Sequence, residues 1–246
     1  AQCLVGSEMG IRDRYNGIHE GLVQSWKDMF GKGSILHLAG ELDNAEDVGN
    51  LQYLASTARE AGLSTRVIDI NALNLQNGIF YDPSGEKVER CFKLYPWEWM
   101  VDESSDGCMA DVQWIEPIWK LVMSNKAILT TLYELFPDSP YVLPAFLSRP
   151  QNGVYCKKPV YSREGHNVSI LDIRNWEERE LISETEGDYN QGAYIYQRYV
   201  KPIVYDGYYP IIGSWVIGGE AGGIGIRENC TEITDNLSTF VPHIIG

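Results

Sequence analysis

The sequence predicts an α/β fold of the α+β kind, in which a small α/β lobe is followed by glycine-rich antiparallel strands. Two observations support this prediction. Residues 34–69 alternate short apolar runs with a helical pattern, as in a βαβ unit of a parallel sheet. From Val154 onward the chain reads as strands with helical segments between them, and glycine becomes frequent.

The first elements are a helix and the βαβ unit. Apolar residues at helical spacing predict a helix over about residues 14–30. Short apolar runs predict strands at 34–39 and 65–69, and the pair Asp43-Asn44 can cap a helix between them. Gly62 is placed to end that helix, which completes a unit that favours a parallel sheet.

The middle of the chain carries a hairpin signal, an aromatic segment and a helix. Strand-like residues flank a Pro-Ser-Gly turn over 79–88, which predicts a hairpin. Aromatic residues surround a proline over 92–99, and we favour core packing over ligand contact for them. Ser124-Asn125 can cap a helix that reaches Phe136, with Lys126 in its first turn. A lysine there is either solvated or shares an anionic ligand with the helix end.

Prolines and a glycine between residues 140 and 153 mark the expected boundary between two lobes. We therefore predict two lobes, over residues 1–145 and 146–246. In the second lobe Tyr205–Tyr208 is a candidate hairpin turn. Residues 211–219 and 222–227 read as antiparallel strands joined around Glu220-Ala221.

One short loop has the composition of a polyphosphate site. Residues 157–168 contain two lysines, an arginine and a glycine between two apolar runs. Glycine lets the backbone approach a ligand closely, while amide groups and cations supply a positive field. About thirty residues later, residues 193–200 form an apolar strand that contains Gln197, a pattern typical of a segment that reads an adenine edge.

Composition excludes several classes of partner. With 246 residues and 44% hydrophobic residues, the chain can fill an ordinary core. A net charge of −14 argues against nucleic acid or an anionic membrane as the main partner. Apolar stretches are shorter than the roughly 18 residues of a membrane span, and we expect a cytoplasmic protein. The five scattered cysteines predict neither a zinc site nor a disulfide framework.

Several motifs in order along the C-terminal two thirds of the chain resemble the glutathionylspermidine synthase family, whose members include proteins named acid–amine ligases. The resemblance implies an ATP-grasp fold, with a substrate-side α/β lobe over 1–145 and a nucleotide-binding lobe over 146–246. The matching segments are Lys93–Trp99, Glu116–Lys120, Ser124–Leu129, Lys158–Gly165, Tyr194–Gln197, Gly213–Gly219 and Gly223–Arg227.

The resemblance also implies roles for individual residues. Lys126 and Lys158 would contact the ATP phosphates, and Arg227 would lie near the transferred phosphate and the acyl-phosphate intermediate. Other nucleotide contacts are implied for the loop that covers the phosphates, Ser162, Arg163, Glu164, Gly165, His166 and Asn167, and for the adenine-binding Gln197, Tyr199 and Val200. Individually, Lys158 and Arg227 could also be surface cations and Gln197 a polar group at a strand end.

The chain departs from the family pattern in its metal ligands. The family holds Mg²⁺ with acidic and amide residues of an upstream segment, which has no match in this sequence, so we assign no metal ligand here. Glu228-Asn229 has suitable residue types but the wrong spacing, and Asp235-Asn236 is no better. We therefore expect ATP as the nucleotide, Mg²⁺ held from a segment outside this sequence, and a chain that is part of a longer protein.

The resemblance implies an enzyme, an ATP-dependent carbon–nitrogen ligase that joins a peptide-like acid to an amine through an acyl phosphate. A catalytically inactive ATP-binding module or fragment is the alternative, and a sugar- or peptide-binding α/β protein is a third reading. Glu46 and Asp47 would suit a cationic amine, although acidic residues are also ordinary at a helix start. Arg12 and Arg14 would suit a substrate carboxylate, although a solvated basic end is as good an explanation.

Overall fold

A computed structural model describes residues 16–103, 111–175, 177–189, 192–235 and 237–243. The chain divides into two compact units. Unit 1 takes the described residues up to Leu121 together with Ser214–Ile224, and unit 2 takes those of Val122–Gly213 and Gly225–Ile244. The predicted division into a substrate-side lobe (1–145) and a nucleotide-binding lobe (146–246) is a division by function, so it stays a prediction.

Unit 1 contains a parallel sheet with helices, as the sequence predicts. Its helices are α1 (Ile18–Met29), α2 (Ala45–Glu60) and α3 (Trp97–Glu103). Its sheet strands are β1 (Ile35–Gly40), β2 (Ser64–Asp69), β5 (Arg90–Leu94) and β6 (Gln113–Ile115), and a separate pair is formed by β3 (Asn74–Gln76) and β4 (Ile79–Tyr81). The sheet order is β2-β1-β5-β6, and each neighbouring pair is parallel.

The βαβ prediction is confirmed down to its cap. Asn44 is the N-cap of α2, and its side chain accepts hydrogen bonds from the backbone N–H groups of Glu46 and Asp47. Satisfying two of the helix's unpaired donors fixes where α2 begins. Apolar residues of α1 and α2, including Trp26 and Leu51, form one core with β1.

The hairpin predicted over 79–88 forms only in part. Strand β4 pairs with β3, which precedes it, and a single bridge joins Tyr81 to Lys87. The turn itself is organised by Asp82, whose buried carboxylate accepts from Ser84, Glu86 and Arg66. Burial alone would raise the pKa of Asp82, but these hydrogen bonds and the guanidinium together lower it well below its usual range.

The aromatic segment packs into the core at Trp97, which contacts Trp114 edge to face at 5.8 Å. Core packing is therefore confirmed for that ring, whereas Trp99 is 37% exposed. Among the cysteines, Cys91 is a buried filler, but Cys230 is exposed and does not fill a core. Cys3 and Cys108 lie outside the described residues.

Unit 2 is built on a five-stranded sheet in the order β10-β9-β8-β11-β7. The strands are β7 (Ala145–Phe146), β8 (Gly153–Pro159), β9 (Ser169–Ile173), β10 (Arg179–Glu184) and β11 (Tyr194–Arg198). All the neighbouring pairs are antiparallel. Helix α4 (Leu121–Ser124) lies at the boundary of the units, and α5 (Ile128–Leu135) follows it. Lys126 precedes α5 and is not in its first turn.

The last sheet has the order β12-β13-β14, with β12 (Tyr209–Ile217), β13 (Glu220–Asn229) and β14 (Thr239–Val241). The turn at Tyr205–Tyr208 is confirmed by two reciprocal backbone hydrogen bonds. The hairpin turn placed at Glu220-Ala221 is wrong, because β12 and β13 join through Gly218-Gly219, both with positive φ. The helical segments expected after residue 154 are not found, since the described residues beyond α5 contain strands and loops but no helix.

Within unit 1 the side chain of Asn16 takes the place of a strand partner for residue 224. Its amide donates to the carbonyl of Ile224 at 2.9 Å and accepts from the N–H of Ile224 at 2.7 Å. A Cβ at Gly223 would lie 2.2 Å from the Asn16 side-chain oxygen, and φ there is +150°. Only glycine satisfies both constraints.

Gly223→Ala should therefore lower the free energy of unfolding by more than about 1 kcal/mol, since the methyl group meets Asn16 and strains the backbone. Chemical denaturation monitored by circular dichroism measures the change. Gly225→Ala is the matched control, because a Cβ there has no neighbour within 4 Å. Equal loss of stability in both variants would contradict the close approach.

Candidate functional site

The pairing of β8 with β11 brings two predicted nucleotide residues together. In the antiparallel register Cys156 lies opposite Gln197 and Lys158 lies opposite Ile195. Because side chains alternate along a strand, these four residues share one face of the sheet. The Lys158 ammonium donates to the Gln197 amide oxygen at 2.8 Å. The lysine predicted to bind phosphate and the amide predicted to bind adenine are therefore neighbours.

Lys126 reaches the same strand end from the start of α5. Its backbone N–H donates to the carbonyl of Val160 at 2.8 Å. Its ammonium donates to the Ser162 carbonyl at 2.5 Å and to the Ser162 hydroxyl at 3.0 Å. Lys126 and Lys158 are thus both held at the segment from Lys158 to Ser162, although they are 32 positions apart in the sequence.

The loop Ser162–Asn167 contains a tight turn. The N–H of His166 donates to the carbonyl of Arg163 at 2.9 Å. Positive φ angles occur at Glu164, Gly165 and Asn167. Two successive left-handed residues, Glu164 and Gly165, closed by this hydrogen bond are the geometry of a type I′ turn.

Gly165 is required by its surroundings in this loop. Its φ is +73°, and a Cβ built on it would lie 2.1 Å from the carbonyl oxygen of Thr234. The neighbour is backbone, which cannot rotate away as a side-chain tip would. The backbone at Thr234 therefore leaves no room for a side chain at residue 165 and limits where the loop can lie.

Two of the three residues predicted to hold adenine, Gln197 and Tyr199, line the same face. An apolar layer beside Gln197 consists of Val154, Cys156, Val168, Ile170, Tyr199 and Ile233. Burial and the neighbouring Glu232 carboxylate, with which the phenol hydrogen-bonds, raise the pKa of Tyr199 to about 12. Val200 is 59% exposed, so the structure leaves it outside this layer.

Glu232 was missed by the sequence reasoning. Burial raises the pKa of the Cys156 thiol, Lys158 opposes that shift and Glu232 adds to it, so both charged groups act on Cys156 of the β8–β11 face. Nothing in the local sequence marks this glutamate. Its place is set by Ile233, which packs against Val168 and Ile170.

Arg227 lies in the same unit but on a different sheet. It pairs with Phe240 on β14, and its guanidinium lies over that ring at 5.7 Å. Because Arg227 belongs to the β12-β13-β14 sheet and Lys158 to the five-stranded sheet, the placing of Arg227 beside the two lysines stays a prediction.

No site for a metal ion is formed by the residues that the structure describes, as no three acidic, histidine or cysteine side chains come together there. The carbonyl oxygen of the buried Asn229 side chain already accepts from the Cys230 N–H at 2.7 Å. Asp235 accepts from the Leu237 N–H at 2.9 Å, and Asn236 lies outside the described residues. These side chains do not fit a Mg²⁺ site.

An open groove of about 700 Å³ runs beside the loop. It is lined by Asn167 and by residues 184–188, three of which are carboxylates. Negative charge of this density repels phosphate. The lysine-bearing face of β8 and β11 is therefore a better candidate for a nucleotide than this groove.

Acidic residues also gather in unit 1, at the carboxyl ends of β1 and β2. Burial first, and then Asp43, Asp47, Asp69 and Glu103, raise the pKa of Glu41. Burial likewise raises the pKa of Asp47. The backbone N–H groups of Glu46 and Asp47 donate to the Asn44 side chain in the first turn of α2, so their ordinary role at a helix start is confirmed. A substrate role for the two carboxylates stays a prediction. Arg12 and Arg14 lie outside the described residues.

Comparison with known proteins gives consistent matches. The family model for the glutathionylspermidine synthase preATP-grasp region matches residues 3–246. A Haemophilus influenzae protein described as an acid–amine ligase is 37% identical over 94% of this chain and 62% of its own length. Trypanothione synthetase from Crithidia fasciculata is 29% identical over 94% of this chain and 39% of its own length. The chain thus spans less than two thirds of these curated relatives.

A solved structure from Methylobacillus flagellatus, described as a γ-glutamylcysteine synthetase, has a TM-score of 0.54 and 11% identity. The matched region covers 89% of this chain and 71% of the solved chain. The match supports the predicted mixed α/β, ATP-grasp-type fold. None of the helices in the described part of the chain is long and apolar enough to cross a membrane.

Gly165→Ala should destabilise the protein more than an alanine at an open left-handed glycine. Gly207→Ala is the matched control, because its φ is +85° and a Cβ there meets nothing within 4 Å. That control carries only the backbone cost of about 1–2 kcal/mol. Denaturant titration of both variants measures the extra cost of the Thr234 contact, and equal midpoints would contradict it.

Proposed function

The chain belongs to the glutathionylspermidine synthase family, and on that premise we propose that it is part of an ATP-dependent carbon–nitrogen ligase that joins a peptide-like acid to an amine. The observation that carries the proposal is the meeting of Lys126, Lys158 and Gln197 around one strand end. Support for it comes from the hydrogen bonds of both lysines and from relatives that are named as acid–amine ligase and trypanothione synthetase.

The reaction we propose has two balanced steps. A carboxylate oxygen of the acid attacks the γ-phosphorus of ATP, which forms an acyl phosphate and releases ADP. The amine nitrogen then attacks the acyl carbon, forms the amide bond, expels inorganic phosphate and loses a proton. The first step is needed because a free carboxylate is a poor acceptor for an amine.

The two lysines would bind the nucleotide phosphates. Lys158 donates to a neutral amide, so its positive charge is available to a phosphate oxygen at little cost. Lys126 currently donates to the carbonyl and hydroxyl of Ser162, groups that a charged phosphate oxygen would outcompete. Backbone N–H groups of Ser162–Asn167 would complete the phosphate contacts.

The adenine would lie on the apolar layer of β8 and β11. Gln197 offers a side-chain amide to the base edge, and Tyr199 offers a flat apolar wall beside it. Val200, on the exposed side, would contact the base through its backbone. Each contact is chemically suited to a purine, whose ring is apolar on its faces and polar at its edge.

Arg227 would stabilise negative charge on the transferred phosphate. A guanidinium is planar, permanently charged and able to donate two parallel hydrogen bonds to phosphate oxygens. Electrostatic stabilisation of this kind dominates phosphoryl transfer. Because the described acidic and amide residues do not form a Mg²⁺ site, no step here is assigned to a metal, and its ligands would come from outside this sequence.

The amine would be attracted by the acidic carboxyl ends of β1 and β2 in unit 1. Ligands of parallel α/β sheets commonly bind beyond the carboxyl ends of the strands. Burial and the neighbouring carboxylates raise the pKa of Glu41, and the repulsion among these carboxylates would be relieved by a bound ammonium group. A cationic amine such as a polyamine fits this cluster better than an anionic amino acid.

The protein is expected in the cytoplasm, where ATP is abundant.

Lys158→Ala should weaken ATP binding by about 1–3 kcal/mol, since a charge-assisted hydrogen bond is lost. Calorimetric titration of ATP measures the affinity. Lys201→Ala, which removes an exposed lysine of the same unit, should bind ATP as the unchanged chain does. If both variants bound ATP equally, Lys158 would have no phosphate role.

In the intact parent enzyme, Arg227→Ala should slow amide formation by a factor of about 10²–10³ while changing ATP affinity little, because its contact strengthens at the transition state. Release of phosphate with a peptide acid and spermidine measures turnover, and ATP titration measures binding. Should ATP bind to the unchanged 246-residue chain without any turnover, the inactive nucleotide-binding module becomes the better reading of this chain. Comparable loss of affinity and turnover would instead give Arg227 a ground-state binding role.

A further inference from the structure

We propose that Thr185 is a positioning residue for the nucleotide loop Ser162–Asn167, a role that rests on the proposed function. Thr185 itself is not predicted to contact the nucleotide. Its hydrogen bonds hold the loop at Gly165 and Val168, so that the backbone N–H groups of the loop keep one orientation before ATP arrives.

The Thr185 hydroxyl joins both ends of the turn. It donates to the carbonyl of Gly165 at 2.5 Å and accepts from the N–H of Val168 at 3.1 Å. The backbone N–H of Thr185 also donates to the carbonyl of Val168 at 3.0 Å. One side chain thus satisfies a carbonyl at the tip of the loop and an amide where β9 is about to begin.

Two of the next four residues, Gly187 and Tyr189, add further contacts with the loop. The Asn167 side chain accepts from the N–H of Tyr189 at 2.7 Å, and the rings of His166 and Tyr189 lie 6.1 Å apart. A Cβ on Gly187 would lie 2.5 Å from Cβ of His166. Residues 185–189 therefore form a continuous support for the loop.

A β-bulge sets the position of Thr185. The register between β10 and β9 shifts between Leu181 and Ser183, so that Glu184 pairs with Ser169. Without that extra residue Glu184 would face Val168, and the threonine would fall one place farther along. The bulge therefore brings the hydroxyl to the loop, a known use of bulges near functional sites.

The consequence for ATP is preorganisation. Removing the hydroxyl leaves the Gly165 carbonyl and the Val168 N–H without their partner, and the loop gains alternative conformations. A phosphate that binds N–H groups must then order the loop as it binds, which lowers the affinity. The sequence carries no sign of this role, because Thr185 stands outside every recognised motif.

The test compares Thr185→Val, which keeps the shape and removes the hydroxyl, with Thr185→Ser, which keeps the hydroxyl. Thr239→Val is the control, since it makes the same change at an exposed strand position of the same unit. Two readouts are taken: ATP affinity by calorimetry, and hydrogen exchange of the Val168 amide in the absence of nucleotide.

We expect Thr185→Val to weaken ATP binding about tenfold and to speed exchange at Val168 about tenfold, as the loss of one buried hydrogen bond implies. Thr185→Ser should restore both values, and Thr239→Val should change neither. If Thr185→Val does not fold, Thr185→Ala replaces it, because it also removes the hydroxyl that bonds Gly165 and Val168.

Two negative results are distinguishable. If the unchanged chain fails to bind ATP, the proposed function is overturned, and the positioning of a nucleotide loop falls with it. If the unchanged chain binds ATP and Lys158→Ala weakens binding, but Thr185→Val matches Thr239→Val in both readouts, only the role of Thr185 is overturned.

Discussion

The antiparallel pairing of β8 with β11 is the constraint on which the candidate site depends. Its register places Lys158 beside Gln197 on one face of the sheet, and the apolar layer around Ile170 supports that face. A slip of one residue would move every one of these side chains to the opposite face. Buried Ile195 resists such a slip, because its apolar side chain must remain in the core.

Much of the fold follows from local rules that a sequence displays. Asn44 caps α2 because its side chain can reach two backbone donors, and this requires only neighbouring residues. The turn at Tyr205–Tyr208 likewise depends on two central residues that accept positive φ. Lys158 and Gln197 could be placed together because a family resemblance supplied the long-range pairing that periodicity alone lacks.

Other features depend on tertiary contacts that no local pattern encodes. The β12–β13 turn is a different case, because Gly218-Gly219 is itself a favoured two-residue hairpin turn and the prediction at Glu220-Ala221 misreads that local signal by two residues. Thr185 reaches the loop only through a bulge in β10, and Glu232 reaches the β8–β11 face only because Ile233 packs beneath it. Hydrophobic burial and register decide these positions, so sequence spacing could not.

The central claim is that ATP lies on the face shared by β8 and β11. Photolabelling with 8-azido-ATP, followed by peptide mapping and competition with unlabelled ATP, tests this claim most directly. The account predicts competable labelling within residues 194–200, where Gln197 and Tyr199 would flank the base. Labelling confined to the acidic groove at residues 184–188, or labelling that ATP does not compete away, would contradict it.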